Sequence, residues 1–427
     1  MTHNNMKTPF IPSLLLFALF STLPLAAQEK PLELSWSDCV REALLNNSGL
    51  KVKKLAIEQN EYLYLASYNS VLPRVSLSHS FSRSGSASSS PSNRFGLSVS
   101  ASETLFDLGT YSSIRTSKIT YERALSDYRT ESASLRQSLY SAFTGLIVAQ
   151  EQIKVNRKIL TIREENAKLI QLKYESGRES RGNMLYAAAL YEKAKADMQN
   201  SERSLDMSRR TLLKSLGLPG RPLLAAKGEL GVPDYTLKSG ALKLDDIPKI
   251  VSQVKSIESY KERLLSARSD IFPTLSASQS MSWSGVSEFP GNRSWSLGLS
   301  LSLPLFSSGI TYYPNTVKAA KTALKSAEES LKEMKLALEN DILSAYNDFL
   351  NSRDTALANL SVLTANEERY QESQIKYMAG KISFLDLENV EQSLVDAQQN
   401  QLQFLRNANG KRSSLENLLG VGLEDSK

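Results

Sequence analysis

Two hydrophobic rhythms run along this chain, and each occurs twice. The first has period two. Val75, Leu77 and Phe81, then Phe95, Leu97, Val99 and Ala101, all fall on odd numbers, with Ser76, Ser78, Ser80, Ser82, Ser98, Ser100 and Ser102 between them. Later, Leu275, Ala277, Met281, Trp283, Trp295, Leu297, Leu299, Leu301 and Leu303 alternate with serines at 276, 278, 280, 282, 296, 300 and 302. Successive side chains of a strand point to opposite faces, so these stretches predict strands with one apolar and one small polar face. The spans are about 73–83, 94–105, 273–284 and 293–305. The second rhythm has period seven: Leu139, Leu146, Ile153, Leu160, Ala167 and Tyr174, and then Ile342, Phe349, Ala356, Leu363, Tyr370 and Tyr377. That spacing is a coiled-coil seam. It predicts helices over about 110–176 and 314–379, each about 100 Å long at 1.5 Å per residue, where ordinary globular helices have roughly 11–12 residues.

Landmarks tie the two halves together. Val71-Leu72-Pro73 is echoed by Ile271-Phe272-Pro273, and Leu105-Phe106-x-x-Gly109 by Leu305-Phe306-x-x-Gly309, both 200 residues on. Tyr174-x-x-Gly177 returns as Tyr377-x-x-Gly380, and Leu216-Gly217 as Leu419-Gly420, both after 203. Four landmarks in one order predict an internal two-fold repeat. The first copy covers 28–220: a helix over Ser35 to Asn69, two strands, the long helix and a helix over about 183–217. A Gly/Pro-rich linker covers 221–240. The second copy covers 241–427, its long helix starting at Pro314, a favoured first-turn residue, and its last helix running over about 383–420. Gly177 and Gly380 read as helix C-caps. The expected fold is therefore α+β and mainly α, with two antiparallel coiled-coil hairpins protruding from a strand region.

The N-terminus narrows the setting. Lys7 and an apolar run from Phe10 to Leu19, which continues to Leu25-Ala26-Ala27 and is broken by Pro12 and Pro24, form an export signal over 1–27. Beyond it no apolar stretch approaches the roughly 18 residues of a spanning helix. Strands of about ten residues do have bilayer-crossing length when tilted. The intervening loops, Arg83 to Asn93 and Ser284 to Asn292, are rich in Ser, Gly and Pro and are flanked by Phe81, Phe95, Trp283 and Trp295, as interfacial aromatics would be. Four strands cannot close a barrel, and an open edge in hydrocarbon leaves backbone groups unpaired at several kcal/mol each. The smallest such barrels have about eight strands, so copies must complete the wall. Two copies give eight strands and three give twelve.

Composition removes other classes. One cysteine and two histidines in 427 residues exclude a disulfide framework and a Cys/His metal cluster. Cys39 falls in the first helix as a packed small residue. His79, on the apolar parity of its strand, is no general base. A net charge of +6 without a clustered basic patch disfavours nucleic acid. No Gly-rich phosphate loop, HExxH or GxSxG occurs, so neither an enzyme nor a cofactor is expected.

The repeat, the paired strands, the long helices and the tips together resemble the TolC-like outer-membrane efflux protein family over nearly the whole chain after the leader. The most specific stretches are Tyr377-Met378-Ala379-Gly380-Lys381-Ile382-Ser383-Phe384-Leu385-Asp386-Leu387, Tyr174-Glu175-Ser176-Gly177 and Asn183-Met184-Leu185-Tyr186-Ala187. The resemblance implies a homotrimer with a twelve-stranded outer-membrane barrel and a helical tunnel across the periplasm. It implies a passive conduit docking onto a periplasmic adaptor and an inner-membrane pump or ABC exporter. It also implies a constriction closed by the second hairpin, with Asp386 as an acidic ring. Asn389 stands where a second acid can occur, Glu388 points to another side of the helix, and Asn183 is the first-copy equivalent of Asp386. Against that role, Asp386 is also a helix-start acid, favoured there in any case. Tyr174, Gly177, Arg178, Tyr377, Gly380 and Lys381 match the family's adaptor-contact tips; turn chemistry alone accounts for the glycines. Efflux of small compounds and type I protein secretion both fit a duct, because the pump selects the cargo. A periplasmic coiled-coil scaffold is the alternative from another class.

Overall fold

The computed structural model describes residues 32–87, 89–220, 223–237, 243–305 and 309–425. The expected leader over 1–27, linker residues Pro222 and Gly240, and the landmark Phe306 lie outside them.

The short strand β1 (Leu32–Leu34) pairs in parallel with β4 (Leu224–Ala226). Three-residue strands carry too few alternations to register as a pattern, and the sequence reading missed both. Between them α1 spans Trp36–Asn46 and α2 Ser48–Ser67, where one helix was expected from Ser35 to Asn69. The break is at Asn47, which is extended (ψ 121°). Its Oδ1 accepts from the Leu50 N–H (3.1 Å) to cap α2, and its Nδ2 donates to the Ser215 carbonyl (2.9 Å). The joint lies against Gly217, the left-handed C-cap (φ +73°) of α4 (Arg181–Leu216). A Cβ at Gly217 would fall 2.6 Å from the Asn46 carbonyl oxygen, so both the backbone conformation and the close approach require glycine.

β2 (Arg74–Ser86) and β3 (Ser89–Phe106) lead into the 68-residue α3 (Leu108–Glu175), which is capped by Asp107 accepting from the Gly109 N–H. Pairing continues through the expected 83–93 loop to Ser86 opposite Ser89. Small residues fit a self-pairing ribbon there, and Pro91 is tolerated because it stands against Gly85, where the register shifts. α5 (Pro248–Ser269) precedes β5 (Thr274–Gly285) and β6 (Asn292–Ser302). The 67-residue α6 (Tyr312–Met378) starts two residues before Pro314, and α7 is Phe384–Leu418. The four long strands form one antiparallel sheet in the order β2-β3-β5-β6. At 1.5 Å per residue α3 and α6 are each about 100 Å long.

Around the middle of α3, Leu139, Phe143 and Leu146 pack on Cys39, Val40, Leu212, Leu216 and Leu423. On the other half of the molecule Ile247, Ile250, Leu338, Ile342 and Leu415 form a matching cluster. The α6 stripe behaves as expected: Ile342, Phe349, Ala356, Tyr370 and Tyr377 are buried and Leu363 half-buried. The α3 stripe does so only at Leu139 and Leu146. Ile153, Leu160 and Ala167 are half-buried and Tyr174 is exposed. Toward its C-terminal end α3 lies between α4 and α7, and its buried face rotates to Asn156, Ile159, Arg163, Asn166 and Ile170. Among the described residues no helix is long and apolar enough to cross a membrane.

Candidate functional site

The sheet presents its two chemistries on separate faces. Odd positions line up across the strands, as in Leu77, Val99, Met281 and Trp295, or Val75, Ala101, Gln279 and Leu297. Gln279 is a polar interruption of that face, and His79 sits mid-strand on it opposite Leu97. On the even face the serines bond in pairs: Ser76 with Ser100, Ser78 with Ser98, Ser280 with Ser296 and Ser282 with Ser294, at 2.7–2.8 Å. That face is tight, since a Cβ at Gly96 would fall 2.8 Å from Ser80 Oγ. β2 and β6 are the outer strands, and every residue of both is exposed, including Val75, Leu77, Leu299 and Leu301 at more than 70%. The chain by itself therefore leaves both an apolar face and two backbone edges uncovered.

At the opposite end the two hairpins turn in the same way. Arg178 N–H donates to the Lys173 carbonyl and Gly177 N–H to that of Tyr174; Lys381 N–H donates to Lys376 and Gly380 N–H to Tyr377. Each is a Schellman motif with glycine in the left-handed region, at φ +72° and +69°. Nothing lies within 4 Å of a Cβ at either glycine, so conformation alone selects it.

Tyr174 and Tyr377 occupy the same position of the motif but differ in role. Tyr174 is exposed, whereas Tyr377 is 2% exposed. The Tyr377 hydroxyl donates to Glu179 Oε2 at 2.9 Å, reaching from the second hairpin into the turn of the first. Lys173 Nζ donates to the Tyr377 carbonyl (3.0 Å) and lies 3.5 Å from the centre of its ring. Burial, with the Glu179 carboxylate beside it, pushes the Tyr377 phenol well above its ordinary range. Burial would raise Glu179, but donors from Asn183, Ser180 and Tyr377 outweigh it and hold that carboxyl low.

Asp386 completes a capping box. Its Oδ2 accepts from Ser383 Oγ (2.6 Å) and Ser383 N–H (3.0 Å), while its own N–H donates back to Ser383 Oγ. Those bonds hold its carboxyl below the ordinary range. Asn183 is the third residue of α4, as Asp386 is of α7, but Glu179 takes over the acid's part there: Ser180 N–H and Asn183 Nδ2 both donate to Glu179 Oε1. Glu388 accepts from Tyr186 (3.4 Å), and Asn389 is exposed. Asp386, Glu388 and Asn389 thus share the first turns of α7, while Asn183 belongs to the Glu179 cluster.

A family model described as outer membrane efflux protein matches the chain in two stretches, residues 39–218 and 244–421. The chain belongs to that family. Alkaline protease secretion protein AprF of Pseudomonas aeruginosa is 31% identical over 227 residues, which is 50% of this chain and 46% of AprF, so the match spans about half the length of that relative. The fold is that of solved channels. CusC superposes with a TM-score of 0.82 at 18% identity, over 90% of this chain and 91% of that one. The open state of Neisseria gonorrhoeae MtrE superposes with 0.80 at 22% identity, over 91% and 89%.

The residues of this outer membrane efflux protein that sequence reasoning missed are Lys173 and Glu179. Both lie within a few residues of a recognised tip glycine, yet their partner is about 200 residues away in sequence. The faint signal is the tyrosine itself: a polar-tipped side chain at a buried seam position calls for a partner.

Proposed function

We propose that this chain is the outer-membrane conduit of a three-part exporter. It assembles as a homotrimer whose four-stranded sheets close into a twelve-stranded barrel, with the hairpins forming a tunnel through the periplasm. The observation carrying this reading is the four-stranded sheet with one apolar face and two open edges. Such a sheet is tolerable in hydrocarbon only when copies pair its edges. The odd face would meet lipid and the serine face would line the bore. The exposed tip residues Leu172, Tyr174, Ile375, Met378 and Leu385 suit a periplasmic adaptor, which couples the duct to an inner-membrane pump. Tyr174, Gly177, Arg178, Gly380 and Lys381 belong to that surface in this reading; Tyr377, expected there from the sequence, is buried beneath it against Glu179. Small toxic compounds are the cargo. Purified protein should run as a heat-sensitive oligomer in detergent and conduct in planar bilayers, and its deletion should sensitise cells to dyes and detergents. A monomer without conductance is the outcome that refutes the conduit.

Type I protein secretion is the second reading, favoured by the AprF similarity. Unchanged dye tolerance together with loss of a secreted protein would select it.

Three copies of Asp386 around the axis would form an acidic ring at the constriction, with Glu388, Asn389 and Asn183 nearby. The capping box uses Oδ2 of each carboxylate. The charge itself remains exposed and ionised, because hydrogen bonding lowers its pKa. Asp386→Asn keeps much of the cap and removes the charge. It should weaken block by multivalent cations added on the periplasmic side; an unaltered blocking curve would leave Asp386 as a cap alone.

A further inference from the structure

The apolar face of the sheet carries few formal charges, and they stand at its ends. Among the paired odd-numbered residues these are Arg83 and Arg293 at the loop end and Glu103 toward the helices. Arg83 follows Phe81 by two residues on β2, and Arg293 precedes Trp295 by two on β6. Each arginine therefore shares a face with its aromatic and lies about 7 Å outside it along the strand. Both are exposed, and neither side chain has an ion-pair or hydrogen-bond partner among the described residues. They belong to the two outer strands, at opposite edges of one sheet. Phe81 shares its row with Phe95 and Gly285, whereas Trp295 shares its row with Met281, four residues away along β5. The aromatic level thus descends across the sheet, as it does where tilted strands cross a bilayer.

We infer that Arg83 of one copy and Arg293 of the next form an anion site on the lipid side of each junction between copies, and that its ligand is the phosphorylated headgroup of lipid A, the acylated diglucosamine of the outer leaflet. The inference rests on the conduit reading. Interfacial aromatics take up one depth in a bilayer. Joining β6 of one copy to β2 of the next with Trp295 and Phe81 level brings the two arginines together just outside the apolar band. Each guanidinium offers a planar fork of donors that fits phosphate oxygens. Side by side they repel, and a phosphate between them turns that repulsion into a bridge across the junction. The two halves lie on opposite edges of the sheet, so a single chain does not contain the site. The acyl chains hold the headgroup at the depth of the arginines, which gives the lipid a high effective concentration over phosphate free in water.

Charge at this end of the sheet has the matching sign. The stretches from Arg83 to Arg94 and from Ser284 to Arg293 hold three arginines against the single acid Glu288. The third arginine supplies a control. Arg94 stands opposite Ser82 on the serine face, which the conduit reading turns toward the bore and away from lipid.

The test is the temperature at which the purified oligomer dissociates in neutral detergent, titrated with diphosphorylated lipid A. The lipid should stabilise the parent oligomer. Arg83→Gln and Arg293→Gln should each weaken its apparent affinity about fivefold, and the double variant roughly 25-fold. Arg94→Gln should match the parent. Dephosphorylated lipid A and inorganic phosphate should each leave the dissociation temperature unchanged. A double variant that responds to lipid A as the parent does would overturn the site. So would an equal loss in Arg94→Gln, which would reduce the effect to the overall charge of the loop end. Equal stabilisation by dephosphorylated lipid would remove the phosphate from the argument, and equal stabilisation by inorganic phosphate would remove the lipid. If a variant does not assemble, the parent's discrimination between phosphorylated and dephosphorylated lipid decides. A parent protein that runs as a monomer without affinity for micelles refutes the conduit itself, a distinct result.

Discussion

Leu299→Arg should abolish accumulation of the oligomer in the outer membrane, while Ser300→Arg, its immediate neighbour, should assemble normally. The two positions are adjacent on β6 and both fully exposed in the protomer, so exposure does not separate them. Parity does. Leu299 lies on the face with Trp295, Leu297 and Leu301, and Ser300 on the face with Ser296 and Ser302. An arginine on the lipid face of a transmembrane strand costs about 2–4 kcal/mol near the midplane, and the proposed trimer would carry it three times. On the bore side of the proposed barrel the guanidinium would stay in water. The measurement is the amount of heat-sensitive oligomer in outer-membrane fractions for each variant. Equal assembly of both would mean that the apolar face does not meet lipid and would favour the periplasmic scaffold.

The legible parts of this protein are those governed by period. A two-residue alternation and a seven-residue stripe are local statements about which face a side chain occupies, and the strands and long helices follow from them. What was not legible depends on contacts between distant segments. The break at Asn47 is a favourable local cap, but it also serves the Ser215 carbonyl on another helix. The β1–β4 pair joins residues about 190 apart. The α3 stripe misled beyond Leu146 because a heptad describes one partner and α3 acquires two, α4 and α7. Asn156, Arg163 and Asn166 occupy the buried face instead, and each finds a polar partner across a seam: Ser201, Gln392 and Glu391. At the tips the sequence identified both tyrosines and both glycines as equivalent. Only the three-dimensional neighbourhood separates Tyr377, enclosed by Lys173, Glu179 and Phe384, from Tyr174, which faces outward.

That asymmetry supplies the second large effect: Tyr377→Phe should make the channel leaky, and Tyr174→Phe should not. The phenylalanine keeps the buried ring and its packing against Phe384 and removes only the hydroxyl that donates to Glu179. A hydrogen bond to a charged acceptor contributes about 1.5–3 kcal/mol. The bond joins the two hairpins, so it exists only while they are together. Its loss shifts the closed-to-open ratio by roughly 10- to 150-fold, taking 1.4 kcal/mol per factor of ten. Lys173→Met should act in the same direction through the bond to the Tyr377 carbonyl and the ring contact. The latch should survive mild acid. Glu179 has a depressed pKa while it accepts from Tyr377, so its contribution is fully present above the ordinary glutamate range and fails only as pH falls through that lowered value. Uptake of a large antibiotic normally excluded by the outer membrane, alongside single-channel recording, reads the leak directly. If Tyr377→Phe and Tyr174→Phe both behave as the parent protein, the contact between Tyr377 and Glu179 holds nothing shut, and closure must come from the buried seam or from contacts between copies.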